Sequence, residues 1–139
     1  MSESCLFCEI AARRIAASVV YEDNDVMAFL DINPLAQGHV LLITKAHCET
    51  LLDVPKNTFS ALFSAAKKIA AAQIKVVGAE GINWLQNSGT AAGQEIFHFH
   101  IHLIPRMVDD GVSWNWKPTP YEIPEERDQL ANQLSENLK

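Results

Sequence analysis

Short apolar runs bounded by polar turns, one long stretch of helical period and a looser tail divide the chain. Tyr21 to Leu30 reads as a strand, a tight polar turn at Glu22-Asp23-Asn24-Asp25 and a second strand over Val26 to Leu30. The Asn33-Pro34 step that follows favours an extended or turned backbone. Gly38-His39 then opens Val40-Leu41-Leu42-Ile43-Thr44, an apolar, β-branched run expected to form a buried strand. Thr58 is a candidate N-cap for a helix whose Phe59, Leu62, Phe63, Ala66, Ile69, Ala70 and Ile74 keep roughly 3.6 spacing, with Gly78 and Gly81 as stops. Ile82 to Asn87 and Ile96 to Ile104 read as two further strands, joined by a Gly-rich loop from Ser88 to Gly93. Beyond Arg106 the chain turns irregular and partly aromatic, with Trp114, Trp116 and three prolines. Glu125 to Lys139 then reads as an amphipathic helix with Leu130, Leu134 and Leu138 four apart. The pattern predicts an α+β fold, a mostly antiparallel sheet with helices on one side.

Composition narrows the picture. At 139 residues, 48% hydrophobic and 20% charged, the chain suits one domain with its own core. A net charge of −6 argues against a broad cationic surface for duplex nucleic acid, though not against a local pocket for a phosphate. No apolar run reaches the length of a membrane span, and the first residues lack a secretory pattern. Three cysteines with no export signal point to reduced thiols in the cytoplasm, and to metal binding before disulfides.

The strongest chemical signal is Phe97-His98-Phe99-His100-Ile101-His102-Leu103-Ile104. In a strand, His98, His100 and His102 share one face at steps of ~6.6 Å, while Phe97, Phe99, Ile101 and Leu103 face a core. Imidazole titrates near neutrality, attacks electrophiles when neutral and donates hydrogen bonds. One ring is then able to attack phosphorus while its neighbour assists. A solvated polar face and a metal site are the competing readings of the same row.

This stretch resembles the His-x-His-x-His-x-x motif, with apolar x, of the histidine triad (HIT) family. Phe29-Leu30-Asp31-Ile32-Asn33-Pro34, Gly38-His39-Val40-Leu41-Leu42-Ile43, Lys45-Ala46-His47 and Asn87 to Gln94 also stand where that family has them. The resemblance runs from Cys5 to about Arg106 and is greatest to bacterial members of its small Hint-like branch. It implies a single HIT domain over 1–139, with a core at about 5–106 and a C-terminal extension at 107–139. One long helix and a C-terminal helix would accompany the antiparallel sheet.

The resemblance also implies a function. The chain is expected to be a nucleotide-binding hydrolase or transferase that cleaves at the α-phosphate of nucleoside phosphoramidates or related purine nucleotides. His100 would be the nucleophile and form a nucleotidyl-histidine, His102 would hydrogen-bond the phosphate or assist the leaving group, and His98 completes the triad. Asp31 would bind the ribose hydroxyls, or simply shape the turn before Pro34. Phe29 and Ile32 would wall the base, or belong to the core. His39 would support the triad, and Asn87, Gly93, Gln94, Glu95 and Ile96 would surround the phosphate. At Glu95 the animal Hint proteins carry a serine, and a carboxylate there would repel a phosphate. Cys5-x-x-Cys8 is a weak metal signal alone. By resemblance, Cys5, Cys8, His47 and His98 would hold a structural Zn2+, and no Mg2+ is required. A homodimer is implied, with Trp114 or Trp116 reaching the partner's site or merely packing. Two alternatives stay open: a dinucleoside polyphosphate hydrolase, and a nucleotide-binding regulatory protein with incidental activity.

Overall fold

The computed structural model describes residues 5–138. In chain order its elements are α1 (Leu6–Ala11), β1 (Val19–Glu22), β2 (Val26–Leu30), β3 (Val40–Thr44), α2 (Phe59–Val77), β4 (Gly81–Leu85), β5 (His100–Arg106) and α3 (Pro124–Glu136). The five strands form one antiparallel sheet in the order β1-β2-β3-β5-β4. The expected α+β architecture is therefore present. Among the described residues no helix is long and apolar enough to cross a membrane.

Sheet burial follows from residue choice. Val26, Ala28, Val40, Leu42, Phe99, Ile101 and Leu103 pack with Leu62, Ala65, Ala66 and Ile69 of α2 to make the main core. Met27, Phe29, Leu41 and Ile43 point the other way and pack with Phe7 and Ile10 of α1. β2 and β3 are thus covered on both faces, which is why their sequences are apolar runs without alternation. The expectation of helices on one side is corrected here. α1 lies on the face opposite α2, and a helix of six residues is too short to announce itself by periodicity.

Three further differences have local causes. β5 starts at His100, four residues later than the alternation predicts, because Ile96 to His98 bend and turn Phe97 outward; its expected core position is lost. β5 then runs on through Pro105 to Arg106. There only β4 is paired with it, since the β3 register ends at Leu103, and the missing proline N–H falls beyond the three-stranded part. On α2 the buried face is rotated: Ala65 and Gln73 are inside, whereas Phe63 and Ile74 are exposed. Gln73 Nε2 donates to the carbonyls of Gly38 (2.8 Å) and Leu103 (2.9 Å), tying the start of β3 to β5. Gly38 has φ +93°, and a Cβ there would sit 3.3 Å from Val77 Cγ1, so the turn that delivers His39 needs glycine. Among the described residues of α3 none is buried. Trp114 and Trp116 are exposed as well.

Candidate active site and metal centre

A cleft of about 550 Å3 opens on the α1 face of the sheet. Phe29, Asp31 and Ile32 reach it from the end of β2, His39 from the turn before β3, and Asn87, Gly93, Glu95 and Ile96 from the loop before β5. His100 and His102 form its floor. Phe29 is buried, and so serves both core and wall, whereas Ile32 is 91% exposed at the rim and is no core residue. Asp31 shapes the turn and also borders the cleft. Its Oδ1 accepts the Asn33 N–H at 2.9 Å, shaping the turn, while its Oδ2 lies 3.6 Å from His39 Nε2. Gln94 is placed differently from its neighbours. Its buried amide donates to the carbonyls of Glu49 and Ile96 and accepts the Gly89 N–H, so it shapes the Gly-rich loop from behind the cleft. Gly89 and Gly93 take φ +96° and +98°, the left-handed side that this loop requires. Sequence reasoning missed Phe7 and Ile10, which α1 brings to the cleft. Phe7 stands edge-on to Phe29, His98 and His100 at 5.2 to 5.9 Å between ring centres.

Backbone groups decide which nitrogen of each histidine is free. His100 Nδ1 lies 2.7 Å from the His98 carbonyl, which accepts only, so Nδ1 carries the proton and Nε2 keeps a lone pair. His39 Nδ1 accepts the Leu35 N–H at 3.1 Å, so its proton is on Nε2, which donates to His102 Nδ1 at 2.9 Å. His102 must then carry its own proton on Nε2, where it is available as a donor. Burial, with His100 and His39 adjacent, pushes His102 down to about 4. Burial likewise holds His39 and His100 below the ordinary imidazole range, opposed by the Asp31 carboxylate. The chain therefore juxtaposes a neutral nucleophilic nitrogen and a neutral N–H donor.

His98 is turned out of this cleft and fully buried. Its Nε2 lies 2.6 Å from the Thr44 carbonyl and must donate, which leaves the Nδ1 lone pair facing Cys5 Sγ at 3.2 Å and Cys8 Sγ at 3.4 Å. His47 Nδ1 is 3.2 Å from Cys8 Sγ. These four ligand atoms lie within 4.8 Å of one another. Around a tetrahedral zinc ion, sulfur and nitrogen ligands stand roughly 3.5 Å apart, so the donor set fits such an ion in both chemistry and spacing. Burial and the adjacent Cys5 sulfur push the Cys8 thiol up, so a thiolate pair here calls for a cation. Cys48, buried in the main core, is no part of this group.

The HIT domain profile matches residues 12–108, well over half of the chain. The chain belongs to the HIT family. A HIT family protein from Bacillus anthracis superposes with a TM-score of 0.93 at 38% identity, covering 100% of both chains. An adenosine 5′-monophosphoramidase of Schizosaccharomyces pombe is 33% identical over 137 residues, which is 98% of this chain and 99% of that protein. A zinc-bound histidine triad family protein from Mycobacterium smegmatis is 35% identical with a TM-score of 0.76, covering 96% of this chain and 98% of that one. The family's members include hydrolases and nucleotide-binding proteins.

Proposed function

We propose that this HIT protein binds a nucleoside 5′-phosphate derivative in the cleft and hydrolyses it at the α-phosphorus, with phosphoramidates as the preferred class. The observation that carries the reading is the pairing of His100, whose Nε2 lone pair is free, with His102, whose Nε2–H is free. Asp31 would accept from the ribose hydroxyls, with Phe29 and Ile32 beside the base and Asn87 and the Gly93 backbone beside the phosphate. His100 Nε2 forms a bond to phosphorus as the phosphorus–nitrogen bond breaks. The electron pair stays on the departing nitrogen, which takes one proton from solvent. His102 donates a hydrogen bond to the phosphoryl oxygens; it does not release its proton, because its Nδ1 already accepts from His39. Water then displaces His100 and returns one proton to solvent, leaving the nucleoside monophosphate. Splitting the displacement this way replaces one difficult step by two easier ones.

Cys5, Cys8, His47 and His98 would hold a structural Zn2+ that tethers α1 to the sheet and takes no part in the chemistry. The chain is further read as a homodimer, because Phe63 of α2 and Trp84 of the edge strand β4 stack at 5.0 Å on an exposed face. Sedimentation measures that directly: a monomer of 15.4 kDa would contradict it. The catalytic reading is tested by turnover of adenosine 5′-phosphoramidate. Wild type should hydrolyse it, and folded His100→Ala should lose at least ~10³-fold. Equal rates in the two proteins would overturn the assignment of His100.

A further inference from the structure

We propose that Glu95 selects the leaving group, so that the preferred substrates are nucleoside phosphoramidates of amines bearing a second, positively charged group. The inference rests on the cleavage reading above and names the substrate class of that same cleft.

Strand register gives the cleft a direction. Leu30 is opposite Val40, Val40 is opposite Leu103, and the Asp31 N–H donates to the His39 carbonyl, so the ribose end is level with Leu103 and Ile104. His100 comes next, opposite Ile43, and Glu95 and Ile96 approach from beyond the start of β5. A nucleotide with its sugar at Asp31 and its phosphorus over His100 therefore brings its leaving group, which departs opposite His100 Nε2, to the end of the cleft that Glu95 borders.

Charge at that end has one sign. Among the described residues the cleft lining contains no Lys or Arg, and its carboxylates are Asp31 and Glu95. Glu95 is exposed and makes no hydrogen bond or ion pair among the described residues. It also borders an adjoining hollow of about 360 Å3, where Glu49 adds a carboxylate, Leu6, Ile96 and Phe97 add apolar surface, and Cys5 and His47 add an edge of the metal-ligand group, which as two thiolates and two imidazoles around Zn2+ would carry no net charge. A leaving group with an anionic tail would meet Glu95 with no Lys or Arg beside it among the described residues. A tail of a few methylenes ending in an ammonium would lie along the apolar side chains and meet a free carboxylate. That second charge takes no part in bond making. It stays beside Glu95 while the phosphorus–nitrogen bond breaks and the amine takes its proton from solvent.

The test compares kcat/KM for three adenosine 5′-phosphoramidates of equal tail length: N-(4-aminobutyl), N-pentyl and N-(3-carboxypropyl). Unsubstituted adenosine 5′-phosphoramidate is the reference. Wild type should rank them ammonium, neutral, carboxylate, with steps of about fivefold, the size of one partly solvated charge pair. The steps should shrink in 0.5 M salt as screening takes hold. Glu95→Gln should flatten the series relative to each protein's own reference rate, and Glu95→Lys should reverse it. If the reference is cleaved in a His100-dependent way but the three tails rank equally, or the ranking survives Glu95→Lys, the role of Glu95 is overturned and the cleavage reading stands. If wild type cleaves none of the four, both are overturned.

Discussion

Two corners of this HIT protein draw on a single row of histidines. At the first, His98 gives its Nε2 proton to Thr44 and turns Nδ1 toward two buried sulfurs. At the second, two residues on, His100 gives its Nδ1 proton to His98's own carbonyl and keeps Nε2 for the cleft. The side chains are identical, so the difference lies in which backbone carbonyl each ring meets. The same residue type thereby suits a metal in one place and phosphorus in the other. The bend over Ile96 to His98 makes this possible, because it frees His98 from the strand face that His100 and His102 share.

Breaking the cleft corner should have the largest effect. His100→Ala should abolish turnover by at least ~10³-fold while leaving the thermal transition and the bound metal in place. Breaking the other corner should do the reverse. Cys5→Ser with Cys8→Ser, or chelation, should remove one equivalent of zinc measured by atomic absorption. Unfolding in urea should then show a loss of about 4 kcal/mol, the stabilisation expected from a ligand present at ~1,000 times its dissociation constant. If chelation removed activity without touching stability, the two corners would not be separable in this way.

Smaller effects sharpen the comparison within the cleft. His39→Leu removes the donor that fixes the His102 tautomer, and turnover should fall by roughly 10- to 100-fold, less than for His100→Ala. Retained full turnover would show that His102 needs no such partner. The smallest expected effect is on stability against pH. His102 sits at about 4 in the folded chain, against about 6.5 for a free imidazole. Between those values the unfolded state binds more protons, so stability falls as pH drops from about 6.5 toward 4. His102→Gln should lose less stability than wild type over that window in urea titrations at pH 7 and pH 5. Parallel losses in the two proteins would remove His102 as a contributor.

Much of this was legible in the chain. Alternation placed His100 and His102 opposite Ile101 and Leu103; β2, β3 and the long helix were foreseen with their ends, and β1, β4 and β5 with shifted ends. Other parts were not, for physical reasons. α1 is too short to show a period, yet it carries Phe7 and Ile10 to the cleft. The bend that parts His98 from its neighbours leaves no mark on the alternation of Phe97 to Leu103. Gln94 looks like any polar residue in a Gly-rich loop, and only the fold shows that its amide is consumed by Glu49, Ile96 and Gly89. The rotation of α2 that buries Gln73 rather than Ile74 depends on carbonyls of distant strands. The tail gives the plainest mismatch: its leucines keep helical spacing, and α3 forms, but it buries none of them.

Backbone carbonyls set opposite tautomers in His98 and His100, and nitrogen NMR of the 15N-histidine-labelled protein at pH 7 reads them directly. His98 should show a protonated Nε2 with unprotonated Nδ1, His100 a protonated Nδ1 with free Nε2, and His102 a protonated Nε2. A proton on Nε2 of His100 would contradict this, since no lone pair would then be available for phosphorus.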